Sequence, residues 1–449
     1  MKEVVNASIG GAQLKQILSD EIDSRGEELI RLAKSILDHP EPGFREFKTS
    51  LLVQERFREL GIPFEADIAI TGIKGMLRGG SNGPTVAILG ELDSLIVAGH
   101  PNADPITSAA HACGHHAQIG MLLGVAMGLQ AQNVLPALSG NVALIAVPAE
   151  EYIEIEFRSE LQRQGKIEFL GGKPEFIRLG KFDEIDLAMM THTTSNPEEK
   201  LLALSGTNNG LIAKRIQFHG RAAHAGGSPD QGINALNAAI LALSAIHTQR
   251  ETFREQDTVR VHPIITRGGT AVSSVPSDVR METFVRGKTW EAIKNAEEKV
   301  DRCLRAGALG VGARVTIDTL PGYLPLHNDP NLANLYKSNA ISLVGESNIF
   351  QINHRTGSTD MGDLSQLMPA IHPYAGGATG NSHGSDYLIQ NWDNAIITAA
   401  KGMAFTIIDL LVNGARKAQE IKSNHTPIIT KPEYLKFMRQ VARTETFSE

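Results

Sequence analysis

Apolar residues recur at mostly helical spacing near the start of the chain. Leu14, Ile17, Leu18, Ile22, Leu29, Ile30, Leu32, Ile36 and Leu37 predict an opening helix over 14–37. His39-Pro40-Glu41-Pro42-Gly43 ends it, because two prolines and a glycine cannot continue a helix. Thr49 to Leu60 predicts a second amphipathic helix, stopped by Gly61. Gly72–Leu77 and Thr85–Leu89, separated by the turn-rich run 79–84, read as a β-hairpin. A long uncharged stretch runs from Ala117 to Ala149. Gln118, Gln130, Gln132, Asn133, Pro136 and Asn141 interrupt it, so it reads as a buried helix near 114–129 and then a buried strand over 141–147. A helix near 174–179 and a strand over 187–190 follow. This alternation predicts an α/β domain: a mostly parallel mixed sheet with helices on both faces.

From about Gly210 the rhythm changes. Strand 211–218, helix 235–246, strands 258–266 and 278–285, helix 290–304 and strand 314–320 give the order β-α-β-β-α-β. That is the split pattern of a small α+β, ferredoxin-like sandwich. The chain then resumes with a helix over 331–343 and another near 394–412. The expected organisation is therefore nested. Residues 1–209 and 323–449 form one domain, and 210–322 are inserted into it. The last stretch, 416–449, is charged and expected to be helical near 432–442.

Composition narrows the class. A chain of 449 residues with 42% hydrophobic and 21% charged residues can bury a full core in two or three domains. The net charge of −7 argues against nucleic acid or an anionic membrane as a partner. Two cysteines, Cys113 and Cys303, are too few for a disulfide scaffold. The first residues carry acids early and lack a long apolar run, so the expectation is a cytoplasmic protein without a membrane span.

Candidate chemistry clusters where the predicted strands end. His111-Ala112-Cys113-Gly114-His115-His116 opens the buried helix. A thiol and an imidazole two residues apart favour a borderline ion such as Zn²⁺, although core histidines and an inert thiol would give the same letters. Pro148-Ala149-Glu150-Glu151 closes the following strand. Adjacent carboxylates there are costly unless one binds a cation and the other moves protons, the alternative being acids at a helix N-terminus. His192 follows the strand 187–190, and His383 lies in a Gly/Ser-rich loop. His224 sits on a loop of the inserted block. Singly, each of these histidines reads as an ordinary loop residue. Together, Cys113, His115, Glu151, His192 and His383 make five metal-type ligands, more than one tetrahedral site takes but suited to two ions sharing a bridge. Glu150 is left as a proton carrier.

With these residues in place, the chain resembles the di-metal amidohydrolases that include aminoacylases, auxin-conjugate hydrolases and p-aminobenzoyl-glutamate hydrolases. The motifs carrying the resemblance are HPEPGFRE from His39, GELDSL from Gly90, HACGH from His111 and PAEE from Pro148. GRAAHAGGSPDQGINAL from Gly220, GSTDMGD from Gly357 and SHGSDY from Ser382 extend it over most of the chain. The resemblance implies a di-zinc exopeptidase-like fold whose inserted domain serves as lid and dimerisation surface. It implies two divalent ions, zinc or manganese, with nickel or cobalt as alternatives. Cys113, His115, Glu151, His192 and His383 would be ligands, Glu150 general base then general acid, and Asp93 a support behind the metals. His224 would polarise the scissile carbonyl, reaching into a neighbouring subunit's site. The implied reaction is attack of a metal-bound hydroxide on the amide of an N-acyl or aryl-amide amino acid, a small molecule with a free carboxylate. Arg286 is the candidate clamp for that carboxylate. A dipeptidase or carboxypeptidase on the same scaffold, or a non-catalytic binding subunit, are the alternatives. Two positions depart from relatives: His116 stands where they carry Asp or Asn, and Ser273, a candidate substrate contact, where they often carry Asn. The long segment between Glu151 and His192 points toward the p-aminobenzoyl-glutamate branch.

Overall fold

The computed structural model describes residues 10–448. The chain divides into two compact units. The first comprises the chain up to Gly206 together with His327–Asn353 and Asp363–Ile428; the second comprises Thr207–Leu326, His354–Gly362 and the chain from Ile429.

The framing strands are, in chain order, β1 (Phe64–Ile68), β2 (Gly72–Arg78), β3 (Ser81–Glu91), β4 (Ser139–Val147), β5 (Leu187–Met189), β6 (Gly210–His219), β7 (Arg260–Val261), β8 (Asp278–Gly287), β9 (Arg314–Tyr323), β10 (Ala370–Ile371) and β11 (Arg443–Phe447). In the first unit the sheet order is β1-β2-β4-β3-β5-β10. Pairings from β4 through β10 are parallel, and β1 and β2 add antiparallel at one edge. Val86 and Ile88 of β3 join the large helical core, while alternate residues Ala87 and Leu89 are equally buried. Both faces are thus covered, which is why the central strands read as continuous apolar runs. Helix His115–Leu129 is buried on every side, as an apolar helix without a polar face must be.

The opening helix is two helices, Gly11–Ser24 and Gly26–Leu37, broken at Arg25. The expected hairpin is a larger departure. β2 and β3 do not pair; β4 lies between them, antiparallel to one and parallel to the other. The glycines of the run 79–83 serve that crossing and not a tight turn. A Cβ on Gly79 or Gly83 would meet the backbone of Leu138–Gly140 at 2.5–2.6 Å. A short turn signal cannot reveal that a third strand, distant in sequence, enters the gap.

The helix near 394–412 appears as a π-turn over Asp393–Thr398 followed by Ala399–Asn424, with non-helical backbone at Val412–Ala415. By length and composition this run could cross a membrane, but 78% of its most apolar window is buried inside the protein. It is a core helix.

In the second unit the sheet order is β7-β8-β6-β9-β11, all antiparallel. Helices Ala235–Gln249 and Trp290–Leu309 pack on it through Ala238, Ala242, Ile293, Val300 and Leu304. The tail departs from the expected organisation, which gave residues 323–449 to the first domain. From Ile429 onward it belongs to the second unit. Helix Lys431–Val441 starts in a Thr430–Glu433 capping box, and β11 pairs with β9 from Val315↔Phe447 to Thr319↔Arg443. The sequence Arg-Thr-Glu-Thr-Phe alternates polar residues on an edge strand, so charge hid the strand.

Candidate metal centre

Three parallel strands deliver their C-terminal ends to one edge of the first unit's sheet, where ligands collect in open α/β folds. β3 ends in Glu91, two residues before Asp93; β4 runs into Pro148–Glu151; β5 leads to His192. Helix His115–Leu129 starts at the same place behind Gly114, whose φ of 94° is left-handed. A side chain on Gly114 would also strike the hydroxyls of Thr193 and Tyr387, so only glycine lets Cys113 and His115 turn inward together. His192 is held by parallel pairing of His192–Thr193 with Tyr374–Ala375. The backbone N–H of His383 donates to Ala112 O at 2.9 Å.

The five expected ligands come together. Cys113, His115 and His192 place a ligand atom each within 4.8 Å of one another, and so do Cys113, Glu151 and His383. Cys113 is the corner common to both groups. Its Sγ lies 3.3 Å from His192 Nε2, and His383 Nε2 lies 3.4 Å from Glu151 Oε1. Both inner histidines are pre-set for ligation. His115 Nδ1–H donates to Asp93 O at 2.9 Å and His192 Nδ1–H to Thr193 O at 2.7 Å, so each ring turns its Nε2 toward the cluster. Glu150 Oε2 is 4.0 Å from His115 Nε2. Asp93 is fully buried; its Oδ1 lies 3.3 Å from His115 Nδ1, and its Oδ2 accepts the Glu151 N–H at 2.9 Å.

The residues fit a divalent pair. His115 Nε2, Glu151 Oε1, Glu91 Oε2 and Asp93 Oδ1 are buried without a hydrogen-bond partner. Thiol, imidazole and carboxylate concentrated there form a donor set for borderline divalent ions, and a bound cation would satisfy what the protein alone leaves open. The protein's own buried groups shift one another strongly. Burial, and after it the Glu151 carboxylate, pushes the Cys113 thiol far up. Burial alone would lower His115, but Glu91, Cys113 and Asp93 raise it well above the usual imidazole range. Burial and then His115 push His192 down to about 4. Glu151 is lowered despite its burial, by His383 and His115.

Four charged residues escaped the sequence reading. Glu91 Oε2 is 3.1 Å from His115 Nε2, and its Oε1 accepts from the fully buried Lys173 Nζ at 2.6 Å. Against the cost of burial, Lys173, His115 and His192 hold Glu91 at about 2. Glu46, also fully buried, accepts from Thr71 Oγ1 at 2.7 Å and from Ala149 N–H at 2.8 Å. Burial and then Asp93 push its carboxyl up to about 7. Arg158 is the fourth, on helix Ile155–Arg163. Glu91 and Glu46 stood inside the quoted motifs without a role. Arg158 and Lys173 sit in a polar segment that hydropathy assigns to the surface.

His116 is buried beside His111, ring centroids 5.2 Å apart. Burial and then His115 push it down to about 3, and burial first also pushes His111 down.

His224, Ser273 and Arg286 belong to the second unit. His224 is exposed, and its Nδ1 accepts from Gly226 N–H at 3.1 Å and Gly227 N–H at 2.9 Å. Its proton therefore sits on Nε2. Ser273 O accepts from Ala225 N–H at 2.9 Å, which ties down the same loop. The Arg286 guanidinium lies over the Phe284 ring at 5.2 Å, and Arg286 stands in register with Arg260.

Residues 87–408 match the profile of Peptidase family M20/M25/M40. The Xaa-Arg dipeptidase of Mus musculus is 27% identical over 91% of this chain and 93% of its own length. The IAA-amino acid hydrolase ILR1-like 4 of Arabidopsis thaliana is 24% identical over 78% of this chain and 77% of its own. Among solved structures, a dinuclear metal binding peptidase of the M20 family from Bacillus subtilis superposes with a TM-score of 0.63 at 20% identity, covering 87% of this chain and 99% of that one.

Proposed function

Since the chain belongs to peptidase family M20/M25/M40, and is thereby a hydrolase of amide or peptide bonds, we propose that it cleaves an N-acyl or aryl-amide amino acid with a free carboxylate. The observation that carries this reading is the pair of ligand groups sharing Cys113, with Glu150 beside them. The similar dipeptidase and IAA-amino acid hydrolase act, by their names, on amides of an amino acid's nitrogen. The Bacillus subtilis neighbour is described as dinuclear, which supports two ions here.

Bound at these residues, two divalent ions, zinc or manganese, would supply Lewis-acid polarisation and a water of lowered pKa. Glu150 takes the proton of the attacking water and returns it to the leaving nitrogen. Asp93 fixes the ring of His115 and the backbone of Glu151. His224, with its proton on Nε2, is assigned to the developing oxyanion in a neighbouring subunit's site, a contact worth about 3 kcal/mol. Arg286 receives the substrate carboxylate. We further assign a homodimer through the second unit. Ile264 and Ile265 are 60% and 40% exposed on an edge segment paired to β8, and Ile240 and Leu241 are 48% and 45% exposed on the neighbouring helix. A thiol ligand suits a reducing, cytoplasmic setting.

Elemental analysis of the purified protein, then a screen of N-acyl amino acids, aryl-amide glutamates and Xaa-Arg dipeptides with and without added Mn²⁺, tests the reading. Preference for dipeptides would favour the second reading, a dipeptidase, which the mouse relative supports. No turnover of any of them under saturating Mn²⁺ or Zn²⁺ would leave a binding subunit. Cys113→Ala is expected to lose metal; unchanged stoichiometry would remove Cys113 from the site.

A further inference from the structure

Glu150 stands in a backbone that would not hold its shape unaided. Ala149 before it has a φ of 56°, a left-handed conformation costing an alanine about 1–2 kcal/mol. Charged side chains buried beside that turn grip it. Glu46 Oε1 accepts the Ala149 N–H at 2.8 Å. Arg158 Nη1 donates to the Ala149 carbonyl at 3.1 Å and to the Leu170 carbonyl at 2.8 Å, while its Nη2 donates to the Glu151 carbonyl. Asp93 Oδ2 accepts the Glu151 N–H at 2.9 Å. The two peptide planes flanking Glu150 are thus each fixed, the first by Arg158 at its oxygen and the second by Asp93 at its nitrogen.

Packing around the turn is equally committed. Glu46 and Arg158 have no exposed surface. A Cβ on Gly43 would strike Arg158 Nη2 and come within 2.9 Å of Ala149 Cα, and one on Gly172 would strike the Pro148 carbonyl. Arg158 lies over the Phe44 ring at 5.4 Å. An unpaired buried guanidinium is expensive, yet this one is spent on backbone carbonyls of the turn and not on a carboxylate partner. A planar fork reaches several carbonyls at fixed angles, which a lysine ammonium does not.

We infer that Glu46 and Arg158 are positioning residues for the reaction, holding the Ala149–Glu151 backbone so that the Glu150 carboxylate stands where it can move the proton. This rests on the reading of Glu150 as proton carrier. It gives the long segment after Glu151 a task, because Arg158 is carried by it.

Kinetics of the metal-loaded full chain, on N-acetyl-methionine and alanyl-arginine, and crystal structures of the variants test the inference. Arg158→Met and Glu46→Ala are expected to keep wild-type metal stoichiometry and KM while kcat falls by roughly 100-fold, the usual scale for a misplaced catalytic group. Their crystal structures should show Ala149 leaving the left-handed region. Glu46→Gln, which keeps the acceptor for Ala149 N–H, should restore kcat, and Arg158→Lys should fall between. Wild-type kcat or an unmoved Ala149 in Arg158→Met, or a kcat loss that only tracks metal loss, overturns the clamp. Glu150→Gln is measured alongside. If it is active, the proton-carrier assignment fails; if it is inactive while the clamp variants are fully active with Ala149 unmoved, the clamp alone fails.

Discussion

Each unit buries a lysine completely, and the two lysines differ in what surrounds them. In the second unit Lys214 Nζ meets Glu297 at 3.0 Å, Asp301 at 2.7 Å and the Thr319 hydroxyl at 2.8 Å. Arg443 of the edge strand shares the same two carboxylates. In the first unit Lys173 meets Glu91, whose other oxygen has no hydrogen-bond partner and faces His115. One buried charge network sets two carboxylates between two cations and holds a sheet. The other stays open on one side, toward the residues that would bind ions. Charge burial is costly in both places; the first unit's network is the one that borders the metal-type residues.

The largest expected effect lies at the open network. Glu150→Gln should lose roughly 10²–10⁴-fold in kcat with metal content and thermal midpoint unchanged; near wild-type turnover would remove Glu150 as the proton carrier. Next, Lys173→Met takes from Glu91 its buried ammonium partner, leaving it only the imidazole of His115, and should cost about 3 kcal/mol in urea unfolding, with part recovered by adding Glu91→Gln. The pH dependence follows in sign. Glu91 is held at about 2 against an ordinary 4.5, so its stabilisation is present above 4.5 and lost as pH falls toward 2. In Lys173→Met the folded-state value rises, so the acid loss should be smaller and end at higher pH; an unchanged acid limb would show that Lys173 does not hold Glu91.

Lys214→Met should cost less, about 1.5–3 kcal/mol, because Arg443 remains beside the carboxylates. Metal content and kcat should stay at wild type, and a fall in metal content would erase the contrast between the two networks. Arg443→Ala is the smallest. Its side chain is 37% exposed, so about 1 kcal/mol or less is expected from the ion pairs. A larger loss, read from chemical denaturation, would show that β11 is essential to the second unit's sheet.

The apolar period alone located the sheet's central strands, the buried helix after Gly114 and the β-α-β-β-α-β block, because each buries a face or a whole surface and repeats accordingly. Glu150, Glu151 and His192 drew notice because chemically expensive residues stood where apolar strands ended, Cys113 and His115 because they open a buried helix, and His383 only in company with them. Other features were not local. β4 entering between β2 and β3 is a choice among distant segments, and β11 closing on β9 is hidden by its own charges. Glu46, Arg158 and Lys173 look like surface residues in one dimension. Only the folded chain brings a carboxylate or a backbone carbonyl within reach of each, and that proximity makes burying a charge tolerable. Sequence thus marked out the residues proposed to bind metal and move protons. Tertiary structure decided which charges hold them in place, since a buried charge's worth depends on partners that sequence spacing does not encode.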